Sequence, residues 1–184
     1  MEKKIATPLT EDITKTLKAG DSILLSGIIY TARDAAHGRL INLLDEEKDL
    51  PLNINSEIIY YVGPTPEKPG EVIGSAGPTT SYRMDSYAPR LLDLGLKGMI
   101  GKGARSEEVI TAIKRNNAIY FGAIGGAGAL ISKCIKSSEV IAYDDLGAEA
   151  IRKLEVKDMP LVVIIDTEGN NLYEIGKKAY LESI

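Results

Sequence analysis

Cysteine is all but missing from this chain: Cys134 is the only one in 184 residues. A lone thiol excludes an internal disulfide, and the chain by itself cannot supply a four-thiolate zinc or iron–sulfur site. Tryptophan is absent, phenylalanine occurs once and aromatics make up 5% of the residues, which argues against a surface that stacks nucleic-acid bases. Positive charge is not in excess. The net charge of −4 argues against nonspecific nucleic-acid binding. No apolar run approaches the ~20 residues of a membrane span, and Met1–Pro8 lacks the apolar core of a signal peptide. These absences lead to the expectation of a cytoplasmic protein with neither a nucleic-acid nor a membrane partner.

What is present is ordinary for a globular chain: 44% apolar and 26% charged residues. One domain covering 1–184 is expected, large enough to bury roughly 70% of its unfolded surface without covalent staples. Ser22–Tyr30 (SILLSGIIY) reads as a strand buried on both faces. Further strands are expected at Lys4–Thr7, Glu57–Val62, Val72–Ala76, Gly98–Gly101, Ala118–Gly122, Val140–Tyr143 and Leu161–Asp166. A hairpin through Thr167–Asn171 would lead into Leu172–Ile175. Helices are expected over Thr10–Lys18, Asp34–Lys48, Glu107–Asn116 behind a Ser106 cap, Ala129–Lys136 and Ala148–Leu154, with one after Arg83 that Pro89 breaks and Arg90–Leu94 completes. The alternation predicts an α/β fold with a mixed, largely parallel central sheet and helices packed against it.

The stretch Gly77–Lys102 concentrates the chemistry. Gly77-Pro78 ends one apolar segment, and Thr79 or Thr80 can cap the helix that follows. On a helix, Thr79 and Arg83 share one face, so a hydroxyl, a guanidinium and free N–H groups would gather at a positive helix end suited to an anion. An ordinary cap beside a solvated arginine is the competing reading. Arg33, Lys102 and the turn Gly125–Gly128 also fall just after predicted strands, where open α/β sheets bind ligands. Gly122–Gly128 fails the dinucleotide spacing and Gly101–Ser106 fails the P-loop spacing. Close packing is therefore preferred to an anion cradle at Gly125–Gly128. His37, the only histidine, reads first as a structural hydrogen-bonder, Cys134 as a core thiol, and Asp144-Asp145 as turn and cap residues before metal ligands. Arg33, Arg83 and Lys102 with Thr79 on one edge point to a focused positive pocket, with separate cationic grips that suit a dicarboxylate.

Gly77-Pro78-Thr79-Thr80-Ser81-Tyr82-Arg83-Met84-Asp85 strongly resembles the β subunit of class I, iron–sulfur-dependent fumarate hydratase and of the related L(+)-tartrate dehydratase. Thr31–His37, Met99–Gly103 and Tyr120–Gly128 resemble the same family in order and spacing. The resemblance implies a swivelling β/β/α domain. It implies a partner α subunit that carries a [4Fe-4S] cluster on three cysteines with one iron open to substrate, so this chain would bind no cofactor or metal itself. It implies a hydro-lyase that reversibly hydrates fumarate to L-malate and is active only with the α subunit, as an α₂β₂ heteromer, or a homodimer when the chain is alone. Arg33, Arg83 and Lys102 match substrate-gripping positions, Thr79 matches a candidate general base, and His37, Gly77 and Thr80 are accessory candidates. L(+)-tartrate or a mesaconate-type substrate is the alternative within the class. A non-catalytic anion-binding or assembly module is the alternative outside it.

Overall fold

The computed structural model describes residues 2–123 and 128–182. In chain order the elements are β1 (Lys3–Ala6), α1 (Glu11–Thr14), β2 (Ser22–Thr31), α2 (Asp34–Asp45), β3 (Ile58–Tyr60), a 3₁₀ helix (Ser81–Met84), α3 (Ala88–Asp93), β4 (Gly98–Gly101), α4 (Glu107–Arg115), β5 (Ile119–Gly122), α5 (Gly128–Cys134), β6 (Ile135–Ala142), a second 3₁₀ segment (Asp144–Glu149), β7 (Ile151–Ile165) and α6 (Leu172–Glu182). Strands β1 to β5 pair in parallel, in sequence order. The long β7 runs antiparallel to them. It pairs with β5 through Val162–Ile165, with β2 along Lys153–Val162, and with β6. Strands β2, β3, β4, β5 and β7 therefore close into a five-stranded ring, with β1 and β6 as extra strands.

The sequence builds this ring by alternation. Ile58 and Tyr60 of β3, Ile100 of β4, and Ile119 and Phe121 of β5 pack with Ile23, Leu25, Ile29, Leu154, Val156 and Val163 in one buried cluster. Their neighbours Ile59, Met99 and Tyr120 face the other way, into a second cluster with Leu40 of α2, Leu91 of α3 and Ile113 of α4. Period-two side-chain direction thus fills the ring with one set and seats the helices on the other. β2 is not uniformly buried as expected, and positions such as Ser22 are exposed. Among the described residues, no helix is long and apolar enough to cross a membrane.

Four predicted elements come out differently. Val72–Ala76 is not a strand; it is an irregular segment fastened by Ser75 N to Thr65 Oγ1 (2.8 Å) and Thr65 N to Ser75 O (3.1 Å). Pro89 does not break a helix running from Arg83. It stands in the first turn of α3, where its missing N–H costs nothing. Residues 151–154 are strand, not helix, because pairing with β2 and β6 on both sides overrides the helical preference of Arg152-Lys153-Leu154. Leu172–Ile175 opens a helix instead of returning as a strand. The turn closes a single bridge, Ile165 to Asn171, and Asn171 Oδ1 then accepts from Tyr173 N at 3.1 Å. The Ser106 cap is as expected, with its hydroxyl accepting from Val109 N.

Candidate functional site

Because β1 to β5 are parallel, their carboxyl ends lie on one edge. There the ladder continues past the strands, with Ala32 N on Tyr60 O (3.2 Å), Tyr61 N on Ile100 O (2.8 Å) and Ala123 N on Gly101 O (2.9 Å). Residues 79–81 join this edge as a strap. Thr79 N donates to Tyr61 O at 2.7 Å and Ser81 N to Lys102 O at 2.9 Å, and Thr80 bridges Lys102. Ser81 Oγ accepts in turn from Lys102 N (3.1 Å) and bonds the Tyr120 hydroxyl (2.9 Å). Gly101 has to be glycine here, since a Cβ would run into Ser81 Oγ.

The expected α-helical face of Thr79 and Arg83 does not form. The helix is 3₁₀, begins at Ser81 and lacks a side-chain cap at Thr80. A strap bonded to two strand ends holds Thr79 instead, half-buried, and its hydroxyl has no partner among the described residues.

Arg33 and Arg83 are brought together by a residue that sequence reasoning missed. Asp34 Oδ1 lies 3.0 Å from Arg83 Nε, and its Oδ2 lies 4.0 Å from Arg33 Nη2. Glu149, from the second 3₁₀ segment, approaches Arg33 Nη2 at 3.5 Å and accepts from Ala35 N at 2.9 Å in the first turn of α2. Arg33 packs on Gly63, where a Cβ would meet its Nη1. Among the described residues, Arg33 Nε is buried without a partner. Arg83 is exposed, and among the described residues only its Nε is used, on Asp34, with no partner for either terminal nitrogen. Lys102 is exposed and has no ion-pair partner among the described residues. Of the sequence signals, only the adjacency Arg33-Asp34 could have exposed this arrangement; Glu149 is too far along the chain.

His37 lies beneath the edge, fully buried, as a structural hydrogen-bonder. Its Nδ1 is 2.9 Å from Arg33 O. A carbonyl only accepts, so Nδ1 carries the proton and Nε2 presents a lone pair. Burial pushes the His37 pKa down to about 4, helped by the positive charge of Arg105 and opposed by the Arg33 carbonyl and Asp34. Unfolded, the ring would take its proton near 6.5. The resulting stability is complete above that pH and is lost as pH falls toward 4, over a span on the order of 3 kcal/mol. A His37→Gln variant should therefore lose less of its urea midpoint between pH 7 and pH 4.5 than the parent. Equal losses would exclude His37 as the titrating group.

Gly77 lies beside Gly128. A Cβ on Gly128 would come within 2.9 Å of Gly77 N, and Ala76 N donates to Gly128 O at 3.2 Å. Close packing therefore holds at Gly128, while Gly125–Ala127 lie outside the described residues. Asp145, read as a turn residue, forks onto Arg39, with 2.8 Å between Asp145 Oδ1 and Arg39 Nη1. Cys134 is partly exposed at the end of α5, and burial raises its pKa. One such thiol does not fit an iron–sulfur cluster, and no group of three potential metal ligands occurs among the described residues. A 580 Å³ cavity between Thr65–Ser75 and α5 is lined by none of Arg33, Thr79, Arg83 or Lys102.

The strap, the two strand-end cations and the glycines that admit them all fall inside one recognised pattern. A family model described as Fumarase C-terminus matches residues 2–176. The chain belongs to this family. A Methanocaldococcus jannaschii protein, provisionally named L(+)-tartrate dehydratase subunit beta, is 38% identical over 179 residues, covering 94% of this chain and 92% of that one. The class I anaerobic fumarate hydratase of Escherichia coli K12 is 42% identical over 152 residues, which is 82% of this chain and 28% of that protein. Fumarate hydratase 2 of Leishmania major is 38% identical over 156 residues, 84% of this chain and 28% of that protein. The chain thus spans less than a third of these two fumarate hydratases and nearly all of the archaeal relative.

Proposed function

We propose that this chain is the cytoplasmic β subunit of a hydro-lyase that reversibly hydrates fumarate to L-malate in a site shared with an α subunit. What supports the reading is a Fumarase C-terminus chain in which Arg33 and Arg83 share Asp34, Thr80 bridges Lys102, and the Thr79 hydroxyl has no partner among the described residues. Arg83, with both terminal nitrogens open, offers a fork to one substrate carboxylate, and Lys102 offers a point charge. Arg33 stands behind them, its charge shared with Asp34 and Glu149. The Thr79 hydroxyl would take the proton from the carbon beside a carboxylate. An alcohol is a poor base unless its own proton has an acceptor, and the described residues give it none, so that acceptor belongs to the partner. Any [4Fe-4S] cluster belongs there too, since this chain's single thiol does not fit one. The β-subunit name of the relative of matching length supports a site completed by a second chain, in a heteromer of two α and two β subunits.

L(+)-tartrate is the second reading, favoured by the relative of matching length. The test is anaerobic co-expression with an iron–sulfur α-subunit candidate and reconstitution with iron and sulfide, with fumarate loss followed by absorbance. Activity in the mixture and in neither chain alone is the expected result. A stable complex inert on fumarate and active on tartrate would move the substrate. The absence of any complex would overturn the reading in favour of a non-catalytic module.

A further inference from the structure

We infer that Arg105, a residue with no exposed side-chain surface and no place in the open edge, is the positioning residue that fixes the strap and the Lys102 turn. Every contact of its guanidinium leads to an element that carries the edge. Arg105 Nε is 2.6 Å from Asp85 Oδ1, at the end of the 3₁₀ helix that bears Arg83. The other Asp85 oxygen accepts from Ser106 N at 2.6 Å. The Arg105 Cζ stacks 5.3 Å from the ring centre of Tyr61, whose carbonyl holds Thr79 N. It also lies 4.9 Å from the ring centre of Tyr120, whose hydroxyl bonds Ser81 Oγ and Gly103 O, both at 2.9 Å. Nη1 reaches the Met99 sulfur at 3.4 Å.

A buried ion pair is costly to desolvate, and apolar side chains of similar size in place of both partners can match it in stability. What an apolar residue cannot do is hold four directions at once. The planar fork holds Asp85, and the cation packs over the rings of Tyr61 and Tyr120. Removing it would free the 3₁₀ helix from the turn after β4 while leaving the ring's core intact. The contact continues past Tyr61 to His37, whose ring centre is 5.4 Å from that of Tyr61 and whose Nδ1 holds the Arg33 carbonyl. Among the described residues, Arg105 Nη2 and His37 Nε2 are buried without hydrogen-bond partners.

The variant that separates positioning from folding is Arg105→Met with Asp85→Asn, which removes both charges and leaves no buried charge stranded. It is expected to fold with a thermal midpoint near that of the parent. In the full chain by itself, amide hydrogen exchange at Thr79, Ser81 and Lys102 should speed up by about tenfold, with the β6 amides unchanged. In the reconstituted enzyme, an arm that rests on the proposed hydro-lyase reading, kcat/KM for fumarate should fall by about 100-fold, the scale of a misplaced catalytic geometry. Arg105→Lys, which keeps the charge and loses the fork, should not restore it. A folded double variant whose strap amides exchange as in the parent would overturn the inference. Should the double variant not fold, Arg105→Lys is read by the same exchange, and parent-like protection there overturns it equally. If the parent pair shows no hydratase activity, the functional reading fails while the exchange result still decides the role of Arg105.

Discussion

Arg83→Ala, tested in the assembled enzyme, is expected to lower turnover of fumarate by at least about 100-fold, the scale set by loss of an oriented charge in an active site. Two effects add. The substitution removes a guanidinium whose two terminal nitrogens have no partner among the described residues, and it leaves Asp34, whose Oδ1 lies 3.0 Å from Arg83 Nε, with only the Arg33 contact at 4.0 Å. A carboxylate that has lost its nearer cation then faces the place where a dianionic substrate would bind. Lysine should recover only part of the loss, because a point charge cannot hold Asp34 and fork onto a carboxylate together. Steady-state kcat and KM for the alanine and lysine variants, followed by fumarate absorbance, check this. Turnover within a few-fold of the parent in the alanine variant would remove Arg83 from the substrate grips.

Asp85→Ala should give the largest loss of stability among single changes near the site, roughly 3–5 kcal/mol, because it leaves a buried cation without its counter-charge. Arg105 has a fully buried side chain, and Asp85 has only 13% of its own exposed, so solvent cannot take the carboxylate's place. The same substitution frees Ser106 N, at the start of α4. In a chain of this size the thermal midpoint should drop by roughly 6–20 °C. Calorimetry or a urea titration of the chain alone decides the matter, with Asp93→Ala as the comparison. Asp93 pairs with Arg115 at 2.7 Å, but both side chains are nearly half exposed, and such a surface pair contributes at most about 1 kcal/mol. Similar losses from the two substitutions would show that the Arg105 pair is not as secluded as its burial indicates.

The frame of the molecule was legible wherever local pattern and final environment agree. Ser22–Tyr30, Gly98–Gly101 and the Ser106-capped helix are read correctly because apolar runs and caps act over a few residues. Residues 151–154 and 172–175 were misread because their state depends on partners far away: β2 and β6 for the first, the Asp166–Asn171 turn for the second. The site divides in the same way. Arg33 and Lys102 were visible as charged residues just after strands, whereas Arg83 follows an irregular segment that reads as a strand in the sequence. Their counter-ions were not, since Glu149 meets Arg33, and Arg105 meets Asp85, only after the ring has closed. The Thr79–Arg83 face failed for a more local reason, because the strap's bonds to Tyr61 and Lys102 occupy the N–H groups that an α-helical start would have left free.

Ring closure also dictates an order of events during synthesis. The strand that shuts the ring, β7, is the last one made, and it joins Ser22 to Val162 and Tyr120 to Ile165. Until the ribosome has released Ile165, the five parallel strands have an unpaired margin on β2 and another on β5. At ordinary elongation rates of about 5–20 residues per second, that interval lasts several seconds. Contacts so distant in sequence also slow the folding step itself. The nascent chain is thus the form most exposed to edge-to-edge association, and its yield should depend on translation speed and chaperone supply more than the stability of the finished fold would indicate.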